Sequence, residues 1–347
     1  SFIFEIPSGY VSDKIGHKQA LILSRIFVLL STFFFLIADR IPFLILGAIL
    51  LSTGQAFLSG TGSAFMHETL RGLKREHDYS TIMGKISSIG FAVPIIFMVL
   101  VPFLVSISYK VPFIIALITD LIGFLAALFL VSPSVPQEHI EEIRATNFKQ
   151  VVREGYHLNF FSLALFSGIV SGTLFSVGGF RAPYQLLLGI PVIWFGVFFG
   201  IGRALASLML AYSGKIKKAI TLPSFYLFQL ILYVSLIFIL GTISLLWVVI
   251  TTFIIINAFQ WGLSRIDESY QLDTICSSKF KATLLSTASQ IDQTIAAISS
   301  FGVGLLIEKV SYHYGFFYLG IIFVIILLPL YLYILMKYKS GAYTKEK

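Results

Sequence analysis

The chain has 347 residues, of which 57% are apolar and only 12% charged, with a mean hydropathy of +0.89. A soluble globular chain is about 45–50% apolar and about 25% charged, so the composition excludes a soluble enzyme, a disordered tail and a nucleic-acid-binding domain, and points to a polytopic all-α membrane protein. The single cysteine, Cys276, can make no internal disulfide, and the net charge of +8 finds its explanation in where the basic residues fall.

An apolar stub, Ser1–Val11, comes first and is too short to cross a bilayer. It has no basic leader region or cleavage site and reads as the tail of a cut helix. Hydropathy then predicts ten full spans, Ala20–Ala38, Phe43–Phe65, Ile82–Ser106, Val111–Val131, Phe160–Phe180, Ile190–Tyr212, Pro223–Leu240, Ile243–Leu263, Ala282–Ile307 and Phe316–Met336. One long connection, Ser132–Asn159, separates a first group of spans (1–131) from a second (160–347). It opens with the turn-like SPSVP and continues as a charged, helix-compatible run. It reads as a solvated surface helix joining two bundles, with a regulatory or partner-binding role as the alternative.

When the Lys and Arg residues are sorted by alternating loops, nineteen fall on one side and four (Arg40, Lys110, Arg181, Lys309) on the other, with Arg25 and Arg203 inside spans. Basic residues stay cytoplasmic, so the pattern places the C-terminus inside, and no nucleic acid is needed to explain the charge. The two sides of the linker also echo one another. Ser12, Lys14 and Ile15 match Ser213, Lys215 and Ile216 at an offset of 201, and Thr81 matches Thr283 at 202. A parallel repeat in register with topology is a feature of transporters whose site lies between two halves.

The first loop reads Gly9-Tyr-Val-Ser-Asp13-Lys14-Ile-Gly16-His-Lys18. Gly9 permits close helix approach, Asp13 suits a helix N-terminus, and Gly16 allows a tight turn. The loop resembles the signature G-x-x-x-D-[RK]-x-G-[RK]-[RK] of the major facilitator superfamily, which joins helices two and three there; His17 replaces a usual basic residue. The preceding Phe4–Gly9 (FEIPSG) looks like the end of helix two in bacterial members. The resemblance implies a fold of two pseudo-symmetric six-helix bundles, with eleven of twelve helices present, the first visible one partial and the first of the family missing. Two family patterns depart. Gly90-Phe-Ala-Val-Pro94 lacks the Gly doublet of drug/proton antiporters, and Gly47–Gln55 lacks their arginine.

An ionisable group in mid-bilayer costs roughly 2.5–3.5 kcal/mol, so each needs a partner, water or neutrality. Asp292 sits mid-span among Ser286, Ser289, Gln290, Gln293 and Thr294, a polar stripe that would line water or substrate; a coupling or substrate role competes with a buried ion pair. Arg203 would pair with Asp292, bind an anionic group, or snorkel to the interface. Glu5 belongs with the gating motif of Gly9, Asp13, Lys14, Gly16 and Lys18. Arg25 snorkels, and Asp120 makes a structural hydrogen bond to a neighbouring helix. Asn257, Gln260 and Trp261, with Tyr184 and Gln185 farther out, would hold a mixed polar and apolar solute, and the resemblance turns Gln55 toward the cavity.

No G-x-x-x-x-G-K-[ST] loop, metal-ligand spacing or catalytic cluster is present. The resulting expectation is a monomeric secondary transporter without cofactor or metal, in a bacterial cytoplasmic membrane. It would move a small solute by alternating access with proton or ion coupling, exporting amphiphilic compounds. A solute-uptake permease and a non-transporting sensor of the same fold are the alternatives.

Overall fold

The computed structural model describes residues 4–131, 147–191 and 193–343. Among them every long element is helical: α1 (Glu5–Ile15), α2 (His17–Leu36), α3 (Ile41–Gly72), α4 (Tyr79–Ile107), α5 (Lys110–Leu128), α6 (Phe148–His157), α7 (Phe160–Gly179), α8 (Arg181–Leu187), α9 (Ile193–Ala211), α10 (Ser213–Ala219), α11 (Leu222–Thr242), α12 (Leu246–Gly262), α13 (Ser264–Thr274), α14 (Lys281–Lys309) and α15 (Tyr312–Lys339). Among the described residues ten helical segments are long and apolar enough to cross a membrane, and each contains most of one span expected from hydropathy. Large apolar side chains such as Ile49, Ile122, Ile298 and Ile325 stand half exposed or more, as a protein whose outer solvent is lipid requires.

The helices cluster into two compact units. The first comprises Ser1–His77, Ile96–His157 and Ile275–Gln290; the second comprises Asp78–Ile95, Leu158–Thr274 and Ile291–Lys347.

In the first unit α2 and α3 form an antiparallel pair held by small residues. Ser24 Oγ donates to the Gly54 carbonyl (2.7 Å) and Ser31 Oγ to the Gly47 carbonyl (2.8 Å). The pairs are seven residues apart on each helix, two turns, so the same face meets twice. Gly16 separates α1 from α2 with φ +99°, a conformation glycine alone adopts without cost. Thr32 Oγ1 donates to Asp120 Oδ2 at 2.6 Å, which supplies the structural hydrogen bond expected of that mid-span acid. In the connection expected at 132–159, residues 132–146 lie outside the described residues. The rest forms α6, which buries Val151 and Gly155 on one face and sets Phe148 against Tyr10 at 6.3 Å.

The second unit has the larger apolar core. It gathers Phe166, Leu174, Tyr226, Tyr233, Phe253 and Phe316, each at most 3% exposed. The helix α7 is buried along most of its length, because its serines and glycines let neighbours approach closely. A β-carbon on Gly172 would lie 2.5 Å from the Asp292 carbonyl oxygen on α14. The span expected at Ile243–Leu263 breaks at Leu263 and continues as α13, so residues 264–274 form a helix where the hydropathy drop suggested a loop.

Candidate functional site

The signature loop forms a built contact within the first unit. Asp13, at the end of α1, is 7% exposed. Its Oδ1 accepts from the Ala282 N–H (3.2 Å), and its Oδ2 accepts from the Thr283 N–H (2.8 Å) and the Thr283 hydroxyl. The motif's aspartate therefore caps a helix, as its chemistry suggests, but the helix is α14, far along the chain. Two of that helix's otherwise unsatisfied N–H groups find an anion at the positive end of its dipole. Burial pushes the Asp13 carboxyl up to about 7, against the pull of these hydrogen bonds and of Lys281. Lys281 is itself buried and pairs with Glu68 on α3. Close backbone approach surrounds the contact, since a β-carbon on Gly9 or Gly60 would lie 2.8 or 2.7 Å from the Ala282 carbonyl oxygen. Glu5 accepts from Ser59 of α3. Lys14 lies over the Tyr10 ring at 4.5 Å, and Lys18 is partly exposed on α2.

The repeat read from the sequence reappears as a second contact of the same kind, inside the second unit. Gly214 stands 201 positions after Asp13 and packs against Thr81, which stands 202 positions before Thr283. A β-carbon on Gly214 would fall 1.8 Å from Thr81 Oγ1. Ser213 Oγ donates to the Ser80 carbonyl at 2.5 Å. The second copy thus keeps the close approach and replaces the acid by glycine.

The remaining expected residues divide between the units. The polar stripe on α14 is two faces: Ser286 and Asp292 are six residues apart, roughly 120° around the helix. Ser286 faces Gly9 and Gly60, whereas Asp292 Oδ2 accepts from Ser171 of α7 at 3.2 Å and its buried Oδ1 has no hydrogen-bond partner among the described residues. Gln290 lies in the first unit, and Gln293 is exposed. Gln55 is also exposed, on α3 beside the packed Gly54.

The other candidates come together in the second unit. Gln260 Nε2 donates to the Ser171 carbonyl (3.4 Å), Asn257 packs over Gly202, and Trp261 receives the Arg203 guanidinium on its ring face at 4.6 Å. Of the three placements open to Arg203, the ion pair with Asp292 is not formed among the described residues. Arg203 stacks instead on Phe91 (4.7 Å), Phe199 (4.8 Å) and Trp261. Tyr184 and Gln185 are both at most 1% exposed, and Tyr184 stacks on Tyr312 with ring centroids 4.7 Å apart.

The sequence reading missed Asp267, which hydropathy left in a loop. It is partly buried, and accepts from Ser167 (2.8 Å), Tyr226 (2.9 Å) and Gln271 (3.1 Å). It borders a small polar cavity of about 90 Å³ together with Ser171, Gln229 and Gln260. Ser167 and Ser171 are one turn apart on α7; the first bonds Asp267 and the second Asp292, and both serines line the cavity, which is large enough for water. The signal that would have found it is the run Ser264–Ser269, whose helical continuation of α12 carries a polar face inward.

The Major Facilitator Superfamily profile matches residues 1–302. Among solved structures, the E. coli fucose:proton symporter FucP aligns with TM-score 0.70 at 14% identity, covering 95% of this chain and 87% of that one. The human organic anion transporter MFSD10 aligns with TM-score 0.72 at 15% identity, over 95% and 80%. A bacterial homologue of the iron transporter ferroportin, in an outward-facing state, aligns with TM-score 0.68 at 14% identity, over 95% and 86%. No curated protein sequence matches the chain. The profile covers most of the chain, and the helical fold is shared with these transporters: the chain belongs to the major facilitator superfamily.

Proposed function

We propose that this superfamily transporter exports a small amphiphilic solute across a bacterial cytoplasmic membrane, with a proton or ion gradient coupled through Asp292. The observation that carries the reading is the carboxylate of Asp292, held in mid-helix with one oxygen on Ser171 and the other unpartnered. A carboxylate so placed is costly when charged and alone, and it becomes satisfied on taking a proton or a cation. Asp267, reached through Ser171 and Ser167 across the polar cavity, is a second acceptor on the same path. The bundles 1–131 and 160–347 rock against one another. The excess of Lys and Arg on one side places the C-terminus in the cytoplasm.

The test uses the full-length protein in liposomes with an imposed pH gradient and radiolabelled 2-naphthoate, 2-naphthamide and 2-naphthylmethylamine as candidate solutes. Asp292→Asn is expected to retain exchange of a carried solute at equal concentrations while losing gradient-driven accumulation, about tenfold for one proton moved down one pH unit at 1.4 kcal/mol per factor of ten. Accumulation that follows the gradient as in the unmodified protein would remove Asp292 from the coupling path.

A further inference from the structure

We infer that Arg203 and Arg181 form the anion-holding end of the solute site, so that the carried compound is an amphiphilic anion with an aromatic or otherwise flat apolar body. The inference rests on the transporter reading above and names the class of its substrate.

Arg203 lies ten residues into α9 and eight from its end, about 12 Å from the nearer helix terminus at 1.5 Å per residue. That is too deep for its head to reach the basic-side interface along its own helix. The guanidinium is instead enclosed by the faces of three rings, Phe91 from α4, Phe199 from its own helix and Trp261 from α12, at 4.6–4.8 Å. Arg181, at the start of α8, stacks on the same Phe199 ring at 4.4 Å, and the two positive charges are close enough to repel each other.

Neither charge is balanced. Among the described residues no carboxylate pairs with either guanidinium, no carbonyl or hydroxyl accepts from them, and the buried Nε of Arg181 has no partner. Cation–π contacts contribute about 0.5–2 kcal/mol, whereas a mid-span charge such as that of Arg203 costs roughly 2.5–3.5 kcal/mol, and here a second charge of like sign stands beside it. What would satisfy the pair is an anion offering several oxygens. A guanidinium presents its donors in a planar fork that fits carboxylate, sulfonate or phosphate two at a time. The rings that flank Arg203 supply the rest of the specificity. Phe91 and Trp261 lie 5.6 Å apart, centroid to centroid, and Asn257 and Gln260 lie on the same turn of α12 as Trp261. An apolar ring bearing one anionic group finds both kinds of surface there.

A free solute and an anionic lipid share this chemistry, and the test separates them. Every tryptophan of the full-length protein except Trp261, Trp194 and Trp247 among them, is exchanged for Phe, so that Trp261 is the sole indole reporter, and the protein is placed in phosphatidylcholine nanodiscs. 2-Naphthoate is expected to quench Trp261 saturably and to bind at least tenfold tighter than the neutral 2-naphthamide. This comparison needs no change at either arginine. Arg203→Gln should then weaken naphthoate at least tenfold while leaving naphthamide unmoved, Arg203→Lys should give an intermediate value, and Arg181→Gln should weaken naphthoate severalfold. Equal affinities for acid and amide, or an acid preference that survives Arg203→Gln, would overturn the assignment. Loss of naphthoate binding when phosphatidylglycerol is added identifies the amphiphilic anion as lipid; binding unaffected by it identifies a free solute. In the liposome assay, movement of the amine or amide but never the acid sinks the anion class and spares the transporter reading. Naphthoate binding at the arginines without movement of any solute does the reverse.

Discussion

Asp13→Ala is expected to raise the rate at which a maleimide labels Cys276 by an order of magnitude or more. Cys276 is the only thiol in the chain and lies five residues before α14, where its carbonyl accepts from Arg71 Nη1 at 2.7 Å. The start of α14 is held by the Asp13 carboxylate, which takes two backbone N–H groups and a hydroxyl. Hydrogen bonds to a charged group contribute about 1.5–3 kcal/mol each in net terms, and every 1.4 kcal/mol is a factor of ten. Removing the acid also leaves Lys281, a positive charge in the first turn, facing a positive helix end. The Lys281–Glu68 pair remains and keeps α14 from dissociating, so the variant should still fold while its 275–283 segment opens more often. An unchanged labelling rate would show that the cap contributes nothing to holding this end.

The same carboxyl gives the contact a pH dependence of definite sign. Its proton is bound more tightly when buried on α14, at about 7, than in water, at 3.8. The state with the higher value is favoured by acid, so stabilisation by protonation is complete below about 4 and fades as pH rises through 7. Labelling of Cys276, normalised to its thiolate fraction, should therefore slow as pH is lowered from 8 to 6, and Asp13→Asn should abolish that slope.

Much of this molecule was legible because the bilayer is a severe reader of sequence. A span must be long, apolar and helical, so ten segments could be located from hydropathy. Chemistry that is local to a motif was legible too. The spacing from Gly9 to Gly16 contains a helix end, a capping acid and a positive-φ glycine, and all three occur. What the sequence does not carry is the partner. Nothing near Asp13 points to Ala282 and Thr283, whose helix opens with a lysine, the opposite of the usual N-terminal preference. Mid-span charges were legible as anomalies, and for Asp120 so was the structural hydrogen bond; the aromatic faces that receive Arg203 were not, because Trp261 and Phe91 come from helices remote in sequence. Asp267 was lost for a related reason. Its polar neighbours lowered hydropathy below the threshold of a span, while Ser167 and Tyr226, which donate to it, stand far away in the chain.

Gly84→Ala should loosen the repeat-related contact of the second unit, whereas Gly90→Ala, two turns along the same helix, should not. A β-carbon at position 84 would lie 2.3 Å from the Leu210 carbonyl oxygen and 1.9 Å from Ser213 Oγ, while one at position 90 meets nothing within 4 Å. The serine hydroxyl can turn away, but the Leu210 carbonyl belongs to the last turn of α9 and cannot move without its helix. Overpacking of this kind costs about 1–3 kcal/mol. The strain is relieved by moving α4 away from the α9–α10 corner, which also breaks the Ser213–Ser80 bond and stretches Ser88–Ser207, now 3.1 Å. Hydrogen exchange of the amides in 80–90 and 207–216 is therefore expected to accelerate by about one order of magnitude, with 1.4 kcal/mol per factor of ten. At Gly90 the only change is helix propensity, which favours alanine by about 1 kcal/mol, so exchange there should stay the same or slow. Ser213→Ala in the Gly84→Ala background should restore little, because the carbonyl clash persists. If both glycine variants exchange alike, α4 does not pack on this corner as closely as the backbone geometry requires, and the glycine at 214 loses its reading as the acid-free counterpart of Asp13.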